Sequence, residues 1–177
     1  GRPRARDLVA AVAIGASAWY LNLRLVAALD LPQTGAQALA ALVERPPLAI
    51  ALVQLALVPA VCEELLFRGV LARALGGLLR LPVAALGSAL VFSAYHLSAL
   101  QAVPTLTFGL VLGVVAIRGD AIAPTVLAHA INNAIVVVLA RGAAPGPAAW
   151  LGAHPTEALA TTGALAAAGL ALALTGA

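Results

Sequence analysis

The chain has 177 residues, 63% of them hydrophobic and 10% charged, with a formal net charge of +3. A soluble domain is nearer half apolar and a quarter charged. A core of this size cannot hide the excess, so the surplus apolar surface faces lipid. The mean hydropathy of +1.03 agrees, and the pI near 10.0 does not point to nucleic acid. All ten basic residues are Arg, and they sit mostly between apolar runs, where basic residues orient a membrane protein.

A crossing helix needs about 20 mostly apolar residues. The first such run is Leu8–Leu29. It is too long for the apolar core of a signal peptide and lacks a small-residue cleavage site, so a retained helix is expected. The polar stretch Asp30–Pro47 follows, with a short interfacial helix expected over Ala36–Val43. A second run extends from Leu48 to Leu75 through Glu63, Glu64 and Arg68, and Gly76 and Gly77 offer a stop. The third, fourth and fifth runs are Val83–Leu100, Val103–Ile117 and Ala121–Ala140. A Pro/Gly loop, Arg141–Pro155, leads to a sixth, Ala158–Leu174.

No repeat, linker or second domain is visible. The expectation is a single integral membrane domain over residues 1–177, with its motif-bearing core at about 48–140. Lipid offers no water to open backbone, so the fold expected is all-α: a polytopic transmembrane helix bundle of about six spans enclosing a polar catalytic cavity. Long, non-alternating runs exclude a β-barrel. Six spans place Arg2, Arg4, Arg6, Arg68, Arg73, Arg80 and Arg118 on one side and leave Arg45 and Arg141 in loops on the other. The basic side is cytoplasmic, so both termini are expected inside the plasma membrane.

Against an Ala, Leu and Val background, a few polar residues stand out, and ionisable groups in a span are functional candidates. Glu63-Glu64-Leu65-Leu66-Phe67-Arg68 carries two adjacent carboxylates. Arg68 lies one turn after Glu64 and can pair with it. Glu63 points about 100° away and is free for other work, general-base catalysis included. Pro59, one turn earlier, removes a helix hydrogen bond and predicts a bend near Glu63. Phe92-Ser93-Ala94-Tyr95-His96 places His96 deep in an apolar helix, one turn from Phe92. His129-Ala130-Ile131-Asn132-Asn133 puts His129 and Asn133 on one face. Taken singly, these could be an interfacial ion pair, a satisfied core histidine and a polar contact between helices. Taken together, one internal cluster satisfies all of them at once. Cys62, beside Glu63, points to another face and is expected to be inert.

Glu63-Glu64-x-x-x-Arg68, Phe92-x-x-x-His96 and His129-x-x-x-Asn133, in that order, resemble the motifs of the CPBP family, which includes the CAAX prenyl endopeptidases and bacterial Abi proteins. The resemblance spans roughly Leu48 to Ala140. It implies an intramembrane endopeptidase acting on a membrane-associated protein or peptide. By resemblance, Glu63 with His96 activates the attacking water, His129 and Asn133 stabilise the oxyanion, and Glu64 and Arg68 are structural partners. Family members are often labelled metalloproteases. A zinc site would take Glu63, His96 and His129. A metal-free glutamate mechanism with no cofactor is preferred, because Asn133 is a poor zinc ligand and a good oxyanion donor. The competing classes are a transporter that uses the buried charges as an ion path and a non-catalytic membrane scaffold.

Overall fold

The computed structural model describes residues 2–30, 36–119 and 121–175, and among them it contains eight helices and no strand. The all-α expectation holds. The first helix, α1 (Ala5–Ala28), opens with the Asp7 carboxylate accepting the backbone N–H of Arg4 at 3.0 Å. An acid in the first turn also suits the positive end of the helix dipole. The short α2 (Ala36–Glu44) falls where the interfacial helix was expected. Arg141 ties down its end by donating to the carbonyls of Val43, Glu44 and Pro46.

The helix α3 (Leu48–Leu78) runs 31 residues and carries the glutamate pair. Two stretches of it, Val53–Leu57 and Glu64–Ala72, widen to i→i+5 hydrogen bonding. Pro59 lies between them and has no N–H to offer the Leu55 carbonyl one turn back. The irregularity expected near Glu63 is thus two widened segments, a feature that recurs at functional sites.

Next come α4 (Leu81–Tyr95), α5 (Ala99–Arg118) and α6 (Ala123–Ala140). Here the structure corrects the sequence reading. The third apolar run ends at Tyr95 rather than Leu100, because Ser98 caps a new helix by accepting the Gln101 N–H at 3.4 Å. The turn closes through His96 N–H to Ser93 O and Leu97 N–H to Ala94 O, with Leu97 held at φ +48°. His96 therefore sits at the end of α4, not deep within a helix. The Pro/Gly loop contains a further helix, α7 (Pro145–Ala153), before α8 (Pro155–Leu174).

Five of these helices (α1, α3, α5, α6 and α8) are long and apolar enough to cross a membrane, and α4 is shorter. The helix α4 lies along α5, while α1 lies against both α6 and α8. Ala11, Ile14, Phe108, Leu112 and Ala128 form the core where α1, α5 and α6 meet. Small residues let α1 and α6 approach closely: a Cβ on Gly15 would overlap the Ala128 carbonyl. Val43, Ala51 and Val137 join α2, α3 and α6. Large apolar side chains such as Val9, Leu57, Leu65, Val70 and Leu90 point outward, as lipid-facing positions do.

Candidate active site

The site is built where α3, α4, α5 and α6 meet, and it has two layers. The inner layer is fully buried. Arg68 donates from Nη1 to Glu64 Oε1 at 2.9 Å, and both side chains are 0% exposed. The i,i+4 spacing read from the sequence makes this pair. Arg68 also donates from Nη2 to the Gly109 carbonyl at 3.3 Å, and its guanidinium lies 4.1 Å from the centre of the Phe92 ring. Gly109 is glycine for a physical reason: a Cβ there would come within 3.2 Å of Arg68 Nη2 and 3.0 Å of Phe92 Cδ1. A carboxylate on α3, a backbone carbonyl on α5 and a ring on α4 thus hold a single cation inside the bundle.

Glu64 has a second partner that the sequence did not reveal. His129 on α6 places Nδ1 at 2.9 Å from the same Oε1. An ionised carboxylate only accepts, so Nδ1 carries a proton and donates it. Nε2 then faces outward, 3.9 Å from Glu63 Oε2. His129 sits in the notch between two adjacent carboxylates, edge-on to Phe108 and Phe92 at centroid separations of 5.7 and 6.1 Å.

The outer layer keeps access. The Glu63 side chain is 20% exposed, against 5% for His129. Its charged or chargeable neighbours are His129, His96, Glu64 and Arg68. His96, half-buried at the end of α4, has Nδ1 at 2.9 Å from the Phe92 carbonyl and its ring edge-on to Phe92 at 4.9 Å. A carbonyl oxygen cannot donate, so Nδ1 carries the proton and Nε2 of the neutral ring is left as an acceptor. Phe92 serves three ways: its ring lies under Arg68 and beside both histidines, and its carbonyl fixes the tautomer of His96.

Asn133 lies one turn beyond His129 on α6 and donates from Nδ2 to the Leu55 carbonyl of α3 at 3.2 Å. Asn132 donates from its own Nδ2 to Asn133 Oδ1 at 3.0 Å. Glu63, Glu64, Arg68 and His129 are therefore linked in series, Arg68 to Glu64, Glu64 to His129, and His129 to Glu63. His96 joins them through Phe92 and faces Glu63 electrostatically, while Asn133 stands beside them on the Leu55 side. Sequence reasoning missed Gly109, the Leu55 carbonyl and the bond from Glu64 to His129. Only Asn132 carried a readable signal, as a second amide adjacent to the motif.

Among the described residues, no group of three His, Cys, Asp or Glu side chains is placed to hold a metal ion. Glu63, His96 and His129 do not form such a set as they stand.

The Type II CAAX prenyl endopeptidase Rce1-like family matches residues 45–135, just over half of the chain. The chain belongs to that family. The matched segment opens just before α3 and runs into α6, so it contains all three motifs and leaves α1 and α8 outside. No curated protein and no solved structure matches the chain. Membership in the Rce1-like family, together with five helices of spanning length, makes this an integral membrane protein of a protease family. A protein or peptide in a membrane is the substrate class this implies.

Proposed function

We propose that the chain is an intramembrane endopeptidase of the glutamic type, a single membrane domain in the plasma membrane with both ends on its arginine-bearing, cytoplasmic side. The observation that carries this reading is the layering. Glu64, Arg68 and His129 are sealed from solvent, while Glu63, immediately beside them, is not. The sealed Glu64–Arg68 pair holds His129 with Nε2 turned toward the open carboxylate, and Glu63 meets the reactant.

The reaction begins with a water that gives one proton in a hydrogen bond to Glu63 and the other to Nε2 of His96. Both are acceptors, so the oxygen lone pairs are left to attack the scissile carbonyl carbon. Glu63 takes the proton as the C–O bond forms. The developing oxyanion is met by Asn133 Nδ2 and by Nε2 of His129. Nε2 donates there when the ring, already protonated at Nδ1, carries a second proton. Aligned donors of this kind stabilise charge where it develops. Glu63 then returns its proton to the departing amine nitrogen, the C–N bond breaks, and an acid and an amine are released.

Glu63→Gln preserves shape and removes the base. In proteoliposomes with a fluorogenic farnesylated peptide ending in a CAAX sequence, it should lose about a hundred- to ten-thousand-fold in turnover. Turnover near wild type would reject Glu63 as the base. Elemental analysis of the detergent-purified protein separates the glutamic reading from a zinc-dependent one. The glutamic reading expects no stoichiometric metal and activity that survives a non-denaturing chelator. One zinc per chain, lost with activity in both His96→Ala and His129→Ala and kept in Asn133→Ala, would replace it and leave the protease assignment standing.

A further inference from the structure

We propose that Asn132 is a positioning residue for the hydrolytic reaction, holding the Asn133 amide in the one orientation that presents a free N–H to the oxyanion. The inference rests on the proposed role of Asn133. A side-chain amide can flip end for end at little steric cost, and only its hydrogen bonds decide which end faces which way. Two contacts decide it here. The Leu55 carbonyl can only accept, so it requires the NH2 end of Asn133, which meets it at 3.2 Å. Asn132 turns its Nδ2 to the oxygen end and donates to it at 3.0 Å, which stabilises the same orientation. The two contacts consume the oxygen and one N–H of Asn133 and leave the second N–H unspent.

Each half of this clamp has a cause in the sequence. On α3 the ordinary helical donor to Leu55 O is the N–H of residue 59, and Pro59 has none. Without that donor, the carbonyl takes a hydrogen bond from Asn133 Nδ2 on α6. On the other side, Asn132 is held at a cost. Its Oδ1 is buried and has no partner. Natural proteins rarely retain such an atom without a functional reason, since an apolar side chain of similar size would avoid the desolvation penalty. Fold stability alone would therefore disfavour Asn at this position, while orientation of Asn133 favours it.

That opposition supplies the test. Asn132→Leu in the full chain, assayed in proteoliposomes with the same farnesylated peptide, should lower kcat about tenfold or more and leave KM within about twofold. Its melting temperature should stay level or rise. In an Asn133→Ala background, adding Asn132→Leu should cause no further loss, because the group it orients is gone. Three results would overturn the proposal. One is a wild-type kcat in Asn132→Leu while Asn133→Ala is impaired, which removes the positioning role and leaves the oxyanion role intact. Another is a full, independent loss in the double variant. The third is a fall in melting temperature matching the fall in kcat, which would make Asn132 merely structural. If instead Asn133→Ala itself turns over at the wild-type rate, the oxyanion reading fails and takes this inference with it.

Discussion

At the scale of single residues, one oxygen atom organises the site. Glu64 Oε1 takes a hydrogen bond from Arg68 and another from His129, each at 2.9 Å, and so couples α3 to α6 through a point. Removing one partner of a sealed ion pair leaves the other charge without water or counter-charge. Arg68→Ala should therefore cost about 3–5 kcal/mol of stability as well as activity, measured as a fall in melting temperature alongside lost turnover. A variant that is both stable and active would show that Glu64 does not depend on Arg68. Arg68→Lys should not rescue it. An ammonium cannot lie flat on Phe92 while also reaching both Glu64 Oε1 and the Gly109 carbonyl.

At the scale of helices, what could be read from the chain was whatever depends on neighbours in sequence. The Glu64–Arg68 pair lies within one turn of one helix, and His129 and Asn133 share a face for the same reason, so spacing alone predicts both. The bond from His129 to Glu64 spans 65 positions, and nothing in local periodicity encodes it. The end of α4 was misread because Leu97-Ser98-Ala99-Leu100 is as apolar as a helix interior, and hydropathy does not weigh a capping hydroxyl. Close approach between helices is equally silent until the backbone is known, yet it sets how tightly α1 backs the helix that carries His129. Gly15 is the example: a methyl group there would push α1 away from the Ala128 carbonyl, next to His129. Gly15→Ala should lower both melting temperature and turnover, whereas Gly163→Ala, with nothing near its missing Cβ, should leave both unchanged. Equal behaviour of the two variants would mean that α1 does not brace α6.

At the scale of the whole molecule, apolar composition and the three motifs were enough for the class of fold and for the family, because a bilayer allows a long apolar chain so few alternatives. What they did not reveal is that the bundle has uneven walls. The helix α4 has 15 residues and rises only about 22 Å at 1.5 Å per residue, against a hydrocarbon layer of about 30 Å. Its far end is the turn that carries His96 and leaves Leu97 95% exposed. Open backbone is not tolerated in dry lipid, so where this turn faces the hydrocarbon the surrounding leaflet would thin to meet it, a deformation that costs a fraction of a kcal/mol for each ångström of mismatch. The bilayer itself then becomes a reactant of sorts. Reconstituted into vesicles of short-chain phosphatidylcholine, the protein should turn over several-fold faster than in long-chain vesicles at equal lipid-to-protein ratio, with Glu63→Gln inactive in both. A rate indifferent to acyl length would place the turn outside the hydrocarbon. If the dependence holds, membrane thickness selects where the protein works, favouring thin bilayers over thick ones before any substrate is encountered.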